Sequence, residues 1–395
     1  MKKVCIVSGS RAEYGLLKPL IKRVNDDNQL ELQLVVTGMH LSPEFGLTYK
    51  DIENDGFEIN EKVEILLSSD TSIGISKSMG LAMISFSEVF ERLQPDILII
   101  LGDRYEIFAV ASVAMNFKIP IAHLHGGETT EGAVDEAIRH SITKMSYLHF
   151  TSEDKYRKRV IQLGEDPKRV YNFGAISKDS IRSLKLLDKN ELEKEIEMNF
   201  DKRVALLTFH PTTLEENTAK IQFANILQAL DEFKNLKVIF TKANSDQSGR
   251  IINIMIDEYV ELNKDKCVSF TSLGQLRYLS AMKYCDFVIG NSSSGIIEAP
   301  LFGKPSINIG DRQKGRIQKS TIINCKAEKE EIKKSISLAL SDEFTASSIN
   351  TDFKMQPFVA EKIIDVIKDY LENNKIMLKK KFYDVCFKLE GDNYE

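Results

Sequence analysis

Three histidines and four acidic residues lie within one stretch of twenty residues, IAHLHGGETTEGAVDEAIRH at positions 121–140. The stretch follows an apolar run that predicts a buried strand. His123 and His125 are two residues apart, a spacing compatible with metal binding, and imidazoles beside carboxylates also suit proton transfer near neutral pH. The pair Gly126-Gly127 would let the backbone approach a ligand closely. The stretch is therefore a metal site, an acid/base site or an ordinary loop that leads into a helix.

The ligand set for a metal ion is incomplete, because no other pair of histidines has ligand spacing, and we expect no metal. The acidic residues favour acid/base chemistry. Glu128 follows the glycine pair, and Asp135 lies on the predicted helix after it. Arg139 stands one helical turn after Asp135, so a solvated salt bridge is the alternative interpretation of that pair. The catalytic candidates of this stretch are His125, Glu128 and Asp135.

An acid and a base also follow an earlier apolar run, DILIILGDRYEIF, which ends in Gly102-Asp103-Arg104. Doubly wound sheets bind ligands at the carboxyl ends of their strands. Asp103 is therefore a candidate catalytic carboxylate, and Arg104 is a candidate phosphate-binding arginine. A structural ion pair between the two is the alternative interpretation.

The first apolar run ends in SGSRAEYG at residues 8–15. A short turn of this kind before a helix points backbone N–H groups at an anion, and Arg11 adds a guanidinium. A plain strand-to-helix turn is the alternative. Neither GxGxxG nor GxxxxGK[ST] occurs in the chain, which disfavours a nicotinamide-dependent dehydrogenase and a P-loop nucleotidase.

The second half of the chain contains DFVIGNSSSGIIEAP at residues 286–300, where a buried strand gives way to three serines and a short helix. Hydroxyls and helix N-terminal amides suit a diphosphate, and a carboxylate one turn into that helix suits a ribose diol. A helix N-cap alone would need only one serine. The candidate binding residues of this half are His210 in LTFHPTT, Ser292, Ser293, Ser294, Glu298, and Arg312 and Arg316 in INIGDRQKGR.

Short runs of valine, isoleucine and leucine alternate with helical patterns, which predicts an α/β protein with parallel sheets covered on both faces. The first series is VCIVS, LQLVV, VEILL, DILIIL, IPIAHL and YLHFT, and a second series begins with RVALLTFH and continues with LKVIF, CVSF, DFVIG and PSINIG. We therefore expect two doubly wound domains, residues 1–175 and 185–355. A helix at 357–375 is expected to cross back to the first domain, followed by a peripheral tail.

The overall composition excludes several classes of protein. The chain has 53 basic and 58 acidic residues and a formal net charge of -5, which gives no reason to expect a nucleic-acid partner. The first apolar run is too short for a signal peptide, and no run approaches the length of a membrane span. The five cysteines are scattered and lack CxxC pairing. We expect a cytoplasmic protein without structural zinc.

Taken together and in this order, SGSRAEYG, TGMH, GDRYE, HLHGGE, DEAIRH, FHPTT, GNSSSGIIEAP and IGDRQKGR resemble the UDP-N-acetylglucosamine 2-epimerase family. The hydrolysing branch that feeds bacterial sialic acid synthesis is the most similar. The resemblance implies two Rossmann-like domains that face each other across a cleft, as in GT-B glycosyltransferases, with the nucleotide held mainly by the second. By motif, the residues implied to bind the diphosphate or nucleotide are Arg11, His210, Ser292, Ser293 and Arg312, with Glu298 on the ribose.

The reaction implied by the resemblance converts UDP-GlcNAc and water to N-acetylmannosamine and UDP, without a redox cofactor or an obligatory metal. The C2 proton is not adjacent to a carbonyl, so UDP must leave C1 first or concurrently, giving an oxocarbenium-like species and then a 2-acetamidoglucal that is hydrated. This chemistry needs a cationic cradle for the diphosphate and at least two proton-transfer groups.

One position departs from the family pattern. Many hydrolysing relatives read His-Ile-Glu-Gly-Gly-Glu, where this chain reads His-Leu-His-Gly-Gly-Glu, so that His125 replaces a carboxylate credited with catalysis. The base is therefore His125, Glu128 or Asp103. Asp135 matches the family's acid in the helix before Arg-His.

Four other functions are compatible with the motifs. They are a non-hydrolysing epimerase that returns UDP-ManNAc, a hydrolase that acts on a UDP-diacetamido-trideoxyhexose, a GT-B glycosyltransferase and a UDP-sugar-binding sensor. A sensor would not need Asp103, Glu128 and Asp135 together, so these carboxylates favour an enzyme. The partners we expect are a UDP-sugar substrate, no nucleic acid and no membrane, and a second copy in a homodimer or homotetramer, with the apolar helix at 76–93 as a candidate interface.

Overall fold

The structure is a computed structural model that describes residues 1–67, 69, 71–131, 133–212, 218–244, 249–347 and 358–386. Its strands form two sheets in which all paired strands run parallel. The first sheet has seven strands in the order β3-β2-β1-β4-β5-β6-β7. These are β1 Lys2–Ser8, β2 Leu30–Thr37, β3 Glu61–Val63, β4 Ile97–Leu101, β5 Ile121–Leu124, β6 Leu148–Thr151 and β7 Val170–Asn172.

The second sheet has six strands in the order β10-β9-β8-β11-β12-β13. They are β8 Arg203–Thr208, β9 Leu236–Thr241, β10 Cys267–Phe270, β11 Phe287–Gly290, β12 Ser306–Ile309 and β13 Ile322–Cys325. Strand order reverses between β1 and β4 in the first sheet and between β8 and β11 in the second, which are the places where open parallel sheets bind ligands.

The helices connect successive strands, as parallel pairing requires. In the first half they are α1 Arg11–Asn25, α2 Tyr49–Asn54, α3 Ser72–Leu93, α4 Tyr105–Asn116, α5 Asp135–Met145, α6 Asp154–Gln162, α7 Ser177–Ser183 and α8 Lys189–Glu195. In the second half they are α9 Ala219–Leu230, α10 Gly249–Leu262, α11 Gly274–Tyr284, α12 Ser293–Ile297, α13 Lys329–Ala339, α14 Asp342–Ser347 and α15 Val359–Glu372. None of the helices described is long and apolar enough to cross a membrane.

The apolar runs form strands because both faces of each sheet are covered by helices. All five residues of β4, ILIIL, are buried, as expected for a central parallel strand. The run VEILL, which the sequence predicts as a strand, contributes only its first residue, since β3 ends at Val63. The reason is its edge position: β3 pairs only with β2, over Val35 to Thr37, so the chain beyond Val63 has no neighbouring strand to continue the ladder.

The C-terminal helix α15 packs against the first sheet, where Ile363 and Ile367 join the core formed by α1 and β1. The backbone N–H of Ala360 donates to Asp179 Oδ2 at 2.7 Å, which ties α15 to α7. These contacts support our proposed division of the chain into an N-terminal unit, residues 1–175 with the helix at 357–375, and a C-terminal unit, residues 185–355.

Candidate active site

Two adjoining cavities lie between the two sheets, at the carboxyl ends of their strands. The larger cavity has a volume of about 250 Å³ and is lined mostly by the C-terminal unit. The smaller cavity has a volume of about 110 Å³ and is lined by both units. Leu16, Ser293, Ser294 and Glu298 line both. The two cavities are therefore neighbouring compartments of one cleft, with α12 in their shared wall.

Two arginines line the larger cavity from opposite sides of the cleft. Arg11 is the first residue of α1, and its guanidinium lies 4.0 Å from Asp51. Burial lowers the pKa of Arg11 to about 10, against the opposing effect of Asp51, so Arg11 is a cation at neutral pH. Arg312 donates from Nη1 to the carbonyl oxygen of Asn291 at 3.1 Å. Two cations in one cavity suit a diphosphate.

His210 follows β8 and is held through its backbone. Its N–H donates to Asn291 Oδ1 at 2.7 Å, and its carbonyl accepts from Asn291 Nδ2 at 2.7 Å. The imidazole Nδ1 accepts from the backbone N–H of Asn244 at 3.4 Å, so Nδ1 is the unprotonated nitrogen and Nε2 carries the hydrogen. Asn291 therefore fixes both His210 and Arg312 in the wall of the larger cavity.

The three serines of the second motif divide their roles. Ser292 is the N-cap of α12, and its hydroxyl accepts from the backbone N–H of Ser294 at 3.4 Å. The Ser294 hydroxyl lies 2.5 Å from the Tyr278 hydroxyl. At the residue that follows α12, burial raises the pKa of Glu298 to about 7, while Arg11 acts to lower it. This carboxyl group is thus able to change its charge near neutral pH.

The smaller cavity is built around Glu128, which is buried and has both oxygens occupied. Oε1 lies 2.8 Å from His125 Nδ1 and accepts from the Ser152 hydroxyl at 2.8 Å. Oε2 lies 2.9 Å from Arg316 Nη1. Burial acts to raise the pKa of Glu128, but Arg316 and His125 outweigh it and lower this pKa to about 2. Glu128 is therefore an anion at any physiological pH.

His125 stands directly after β5 with a left-handed backbone, φ 64°. Its Nδ1 donates to ionised Glu128, so its Nε2 is the nitrogen with a free lone pair. Nε2 is buried and accepts no hydrogen bond from any part of the chain that the structure describes. His125 lines the smaller cavity, so a buried imidazole nitrogen without a described hydrogen-bond partner lies in the wall of that cavity.

Asp103 lines the same cavity and forms an ion pair with Arg139. The Arg139 side chain is buried and also donates to the carbonyl oxygen of Glu128 at 3.0 Å and to Glu136 Oε2 at 3.3 Å. Burial lowers the pKa of Arg139, and Arg316 adds to this effect. The carboxylate of Asp103 is therefore held in place by a cation that belongs to α5.

His123, the other half of the HxH pair, is part of the core. Its Nε2 lies 2.8 Å from the carbonyl oxygen of Gly102, and burial lowers the pKa of His123 to about 3.

Gly127, in the loop after β5, has φ 77°, and a Cβ there would lie 2.4 Å from the carbonyl oxygen of Tyr156. Gly127 is thus required by close packing of the loop on α6. Within the residues described, no three acidic, histidine or cysteine side chains are grouped as metal ligands.

Two of the residues that the sequence predicts for the site lie elsewhere. Arg104 precedes α4, and its Nε donates to Glu106 Oε1 at 2.6 Å. Asp135 is the first residue of α5 and is half-buried. Neither Arg104 nor Asp135 is among the described residues that line the two cavities.

The structure adds the partners of two arginines and one further residue to the site. Arg139 and Arg316 are present in the motifs DEAIRH and IGDRQKGR, but their partners Asp103 and Glu128 lie on other elements. Local spacing favours a salt bridge of Arg139 within its own helix. Tyr278, which contacts Ser294, stands in no motif.

The fold and the cleft between two Rossmann-like units place the chain among GT-B-type α/β proteins. The pattern that defines the family UDP-N-acetylglucosamine 2-epimerase matches residues 22–368. This chain therefore belongs to the UDP-N-acetylglucosamine 2-epimerase family, in its hydrolysing branch, and is an enzyme.

Individual relatives agree with this assignment. The chain is 50% identical over 323 residues to the GDP/UDP-N,N'-diacetylbacillosamine 2-epimerase (hydrolyzing) of Campylobacter jejuni. The aligned region covers 82% of this chain and 84% of the relative. The chain is 39% identical over 389 residues to the polysialic acid biosynthesis protein P7 of Escherichia coli, 98% of each chain. The structure of UDP-GlcNAc 2-epimerase from Neisseria meningitidis bound to UDP-GlcNAc has the same fold, with a TM-score of 0.77, 17% identity, and 93% of this chain and 100% of that one covered.

Proposed function

We propose that this enzyme hydrolyses UDP-N,N'-diacetylbacillosamine with inversion at C2. The products are UDP and 2,4-diacetamido-2,4,6-trideoxymannose. The observation that carries the reaction is the smaller cavity, where a histidine with a free Nε2 lies among ion-paired carboxylates, next to a cation-lined cavity that suits a nucleotide. The 50% identity to the Campylobacter jejuni enzyme supports the diacetamido substrate, which differs from the N-acetylglucosamine substrate that the motifs alone favour.

The reaction has two steps. In the first, the bond between C1 and the diphosphate oxygen breaks, the proton on C2 moves to a base, and a C1–C2 double bond forms. In the second, water supplies a hydroxyl to C1, and a proton returns to C2 on the opposite face. The configuration at C2 is thereby inverted, without a change of oxidation state, so the chemistry needs only acid/base groups and charge stabilisation.

His125 is the base of the first step in this proposal. His125 lines the cavity and its Nε2 has no described hydrogen-bond partner, while Glu128 is too weak a base, with a pKa of about 2 and both oxygens occupied. An imidazole nitrogen that accepts no hydrogen bond is able to take up a proton from a positioned substrate. Asp103, held by Arg139, stabilises positive charge on the sugar. Asp135 matches the family's acid, but it is not among the described residues that line either cavity, so its role in the second proton transfer requires the start of α5 to move toward the sugar.

The larger cavity holds the nucleotide in this proposal. Arg11 and Arg312 approach the diphosphate, on which negative charge accumulates as UDP leaves, and cations placed there lower the barrier. His210, Ser292, Ser293 and Ser294 complete the cradle, and Glu298 accepts from the ribose hydroxyls. Arg104 would act indirectly, through its contact with Glu106 at the start of α4.

Aliphatic lining supports a deoxygenated sugar. Leu16, Leu101 and Ile297 line the smaller cavity beside the carboxylates. A 6-deoxy sugar with a C4 acetamido group presents methyl groups, which can be buried against these side chains without leaving a hydroxyl unpaired. Glucosamine presents hydroxyls at C4 and C6. The second candidate substrate is UDP-GlcNAc, favoured by the 39% identity to the polysialic acid protein.

The test is proton NMR of the purified protein in D₂O with each sugar nucleotide in turn. Free 2,4-diacetamido-2,4,6-trideoxymannose with deuterium at C2, formed together with UDP, is the expected result. If UDP-GlcNAc is converted to deuterated N-acetylmannosamine with a higher kcat/KM than the diacetamido sugar nucleotide, the second candidate, UDP-GlcNAc, is the substrate. A product that keeps its nucleotide would contradict hydrolysis. The GDP-linked sugar serves as the comparison for nucleotide preference.

We also propose that the enzyme forms a homodimer or homotetramer through α3. The outward face of this helix exposes Ile73 and Ile84, at 69% and 65% exposure, and exposed apolar side chains grouped on one helix face are typical of an interface. The mass measured by light scattering after size exclusion tests this proposal, and a monomer at all concentrations would contradict it.

A further inference from the structure

A short segment of the C-terminal unit crosses the cleft and docks on the N-terminal unit. It is the docking segment, Lys314–Ile317, in the loop between β12 and β13. The carbonyl oxygen of Lys314 accepts from the backbone N–H of Glu131 at 3.3 Å. The backbone N–H of Ile317 donates to the Tyr156 hydroxyl at 3.0 Å. The docking segment is thus tied at both ends to the loop and helix that flank Glu128.

The fit of the docking segment depends on Gly315. This residue has φ 85°, and a Cβ at this position would lie 2.8 Å from both Thr129 Oγ1 and Glu131 Oε1. A side chain here would be strained by its backbone and would push against Thr129 and Glu131 of the opposite unit. The two units are therefore closely packed against each other at Gly315.

Arg316 projects from this segment to Glu128, with Nη1 and Oε2 2.9 Å apart and both side chains buried, at 8% and 5% exposure. Glu128 in turn contacts His125 Nδ1 at 2.8 Å. A continuous chain of charge-assisted contacts therefore leads from one unit, across the cleft, to the basic nitrogen in the other.

We propose that Arg316 is a positioning residue that makes proton abstraction by His125 depend on closure of the cleft. The proposal rests on the role of His125 in the proposed function. When the cleft is closed, Arg316 shares the charge of Glu128, and the imidazole keeps its hydrogen on Nδ1 and its lone pair on Nε2. When the cleft is open, Glu128 keeps His125 and the Ser152 hydroxyl but loses the cation from the C-terminal unit. An unshared carboxylate favours the imidazolium, which has no lone pair to accept a proton.

The other charged or titratable groups around His125 do not replace Arg316. Asp103 is paired with Arg139, and His123 is neutral because burial lowers its pKa to about 3. Glu298 lies in the opposite wall of the cavity. Of these groups, Arg316 is the one that belongs to the docking segment. Closure of the cleft therefore changes the charge that faces Glu128 mainly through Arg316.

The first experiment compares Arg316→Gln and Arg316→Lys with the wild-type enzyme. We expect Arg316→Gln to lower kcat by about 10²-fold, as misplacement of a catalytic group does, with little change in the Kd of UDP. The acid limb of the pH profile of kcat/KM should move up by roughly one pH unit, because Glu128 then favours the imidazolium. Arg316→Lys retains a cation and should recover part of both effects.

The matched control is Arg250→Gln. Arg250 and Glu44 form another arginine–glutamate pair that bridges the two units, with Nη2 and Oε2 2.9 Å apart, but these side chains are about four-tenths exposed and far along the chain from His125. We expect kcat of this variant to stay within about twofold of wild type. An equal loss in both variants would mean that any cross-cleft contact matters and would overturn the specific role of Arg316.

A double-mutant cycle with Glu128→Gln separates positioning from general destabilisation. If Arg316 acts through Glu128, adding Arg316→Gln to Glu128→Gln should lower kcat by less than about twofold further. Additive losses, or an unmoved pH profile in Arg316→Gln, would overturn the inference. Gly315→Ala provides a second route, since it keeps every charge and should lower kcat by preventing full docking.

The outcomes distinguish this inference from the proposed function. If wild-type enzyme turns over neither sugar nucleotide, the proposed function is wrong. If wild-type enzyme is active and His125→Gln is not, but Arg316→Gln resembles Arg250→Gln, the function stands and the coupling to closure is wrong. Thermal unfolding and UDP binding of each variant show whether it is folded.

Discussion

The two cavities of the cleft differ in how their functional side chains are held. In the larger cavity His210 and Arg312 are both fixed to Asn291, within the C-terminal unit. In the smaller cavity Glu128 is paired with Arg316 from the other unit. The difference teaches that the proposed nucleotide-binding residues of the C-terminal unit are held by contacts within that unit, with Arg11 added from the other unit, whereas the proposed proton-transfer group has a charge partner that comes from across the cleft.

The charges of the two cavities differ as well. The larger cavity presents cations to its ligand, which suits a diphosphate. In the smaller cavity each of the carboxylates Asp103 and Glu128 is paired with an arginine, Arg139 and Arg316 respectively. In the proposed complex a neutral sugar would thus lie among balanced charges, and the imbalance created as the bond to UDP breaks would be met by groups already oriented.

The largest effect is expected from His125→Gln. The variant removes the only lone pair proposed to accept the C2 proton, so we expect kcat to fall by roughly 10²–10⁴-fold while the Kd of UDP changes little. Steady-state kinetics and calorimetric titration with UDP measure the two quantities. His140→Gln is the control, because His140 is half-buried on α5 against Glu136 and is not part of the proposed mechanism. Loss of UDP binding in His125→Gln would contradict the assignment of nucleotide binding to the larger cavity and of proton transfer to the smaller one.

A smaller loss is expected from Asp103→Asn, which keeps the size of the side chain but removes its charge. We expect kcat to fall by roughly 10²–10³-fold, as for removal of one preorganised electrostatic contact. The variant should fold, because Arg139 keeps Glu136 and the Glu128 carbonyl, but with a lower Tm, since a buried cation loses a partner. Unchanged turnover would remove Asp103 from the mechanism.

Much of this comparison can be predicted from the sequence, since it depends on local pattern. Continuous apolar runs predict buried parallel strands, and the residues placed after them, such as Asp103, His125 and His210, do lie at the carboxyl ends of strands. The early end of β3 was not predictable, because edge position is a property of the whole sheet.

The ion pairs of the smaller cavity could not be predicted in the same way. Arg139 and Arg316 are far from Asp103 and Glu128 along the chain, and no periodicity relates them. Spacing favours a partner for Arg139 within its own helix, and Glu136 is such a partner, but spacing does not predict the second partner, Asp103 after β4. Which side chains meet across a cleft is decided by the packing of whole units.

In the larger cavity, Arg11→Lys is expected to weaken UDP binding by about tenfold. A lysine keeps the charge but loses the planar, two-pronged contact that guanidinium makes with phosphate oxygens. kcat should change less than the Kd, the reverse of the pattern for the smaller cavity. The control is Arg23→Lys near the other end of α1, where Arg23 pairs with exposed Glu361. A tenfold fall in kcat with unchanged Kd would contradict this assignment.

The smallest effect concerns Glu298 and depends on pH. Burial raises the pKa of Glu298 from 4.5 to about 7, so the folded protein holds this proton more tightly than the unfolded chain does. Its contribution to stability is therefore lost progressively as pH rises from about 4.5 to about 7, and is constant above that. Glu298→Gln removes this dependence, and its Tm should exceed that of wild type at pH 8 but match it near pH 4.

The affinity for UDP should change with pH in the direction opposite to stability. The ribose hydroxyls donate to Glu298 in the proposed complex, and a carboxylate accepts more strongly than a neutral acid, so wild-type affinity should rise as pH increases through about 7. Glu298→Gln keeps an acceptor oxygen but loses the charge. At pH 8 its Kd for UDP should be roughly fivefold higher than wild type, about 1 kcal/mol, with little difference at pH 5.5. A variant that gains stability at pH 8 without losing affinity would show that Glu298 does not contact the ribose.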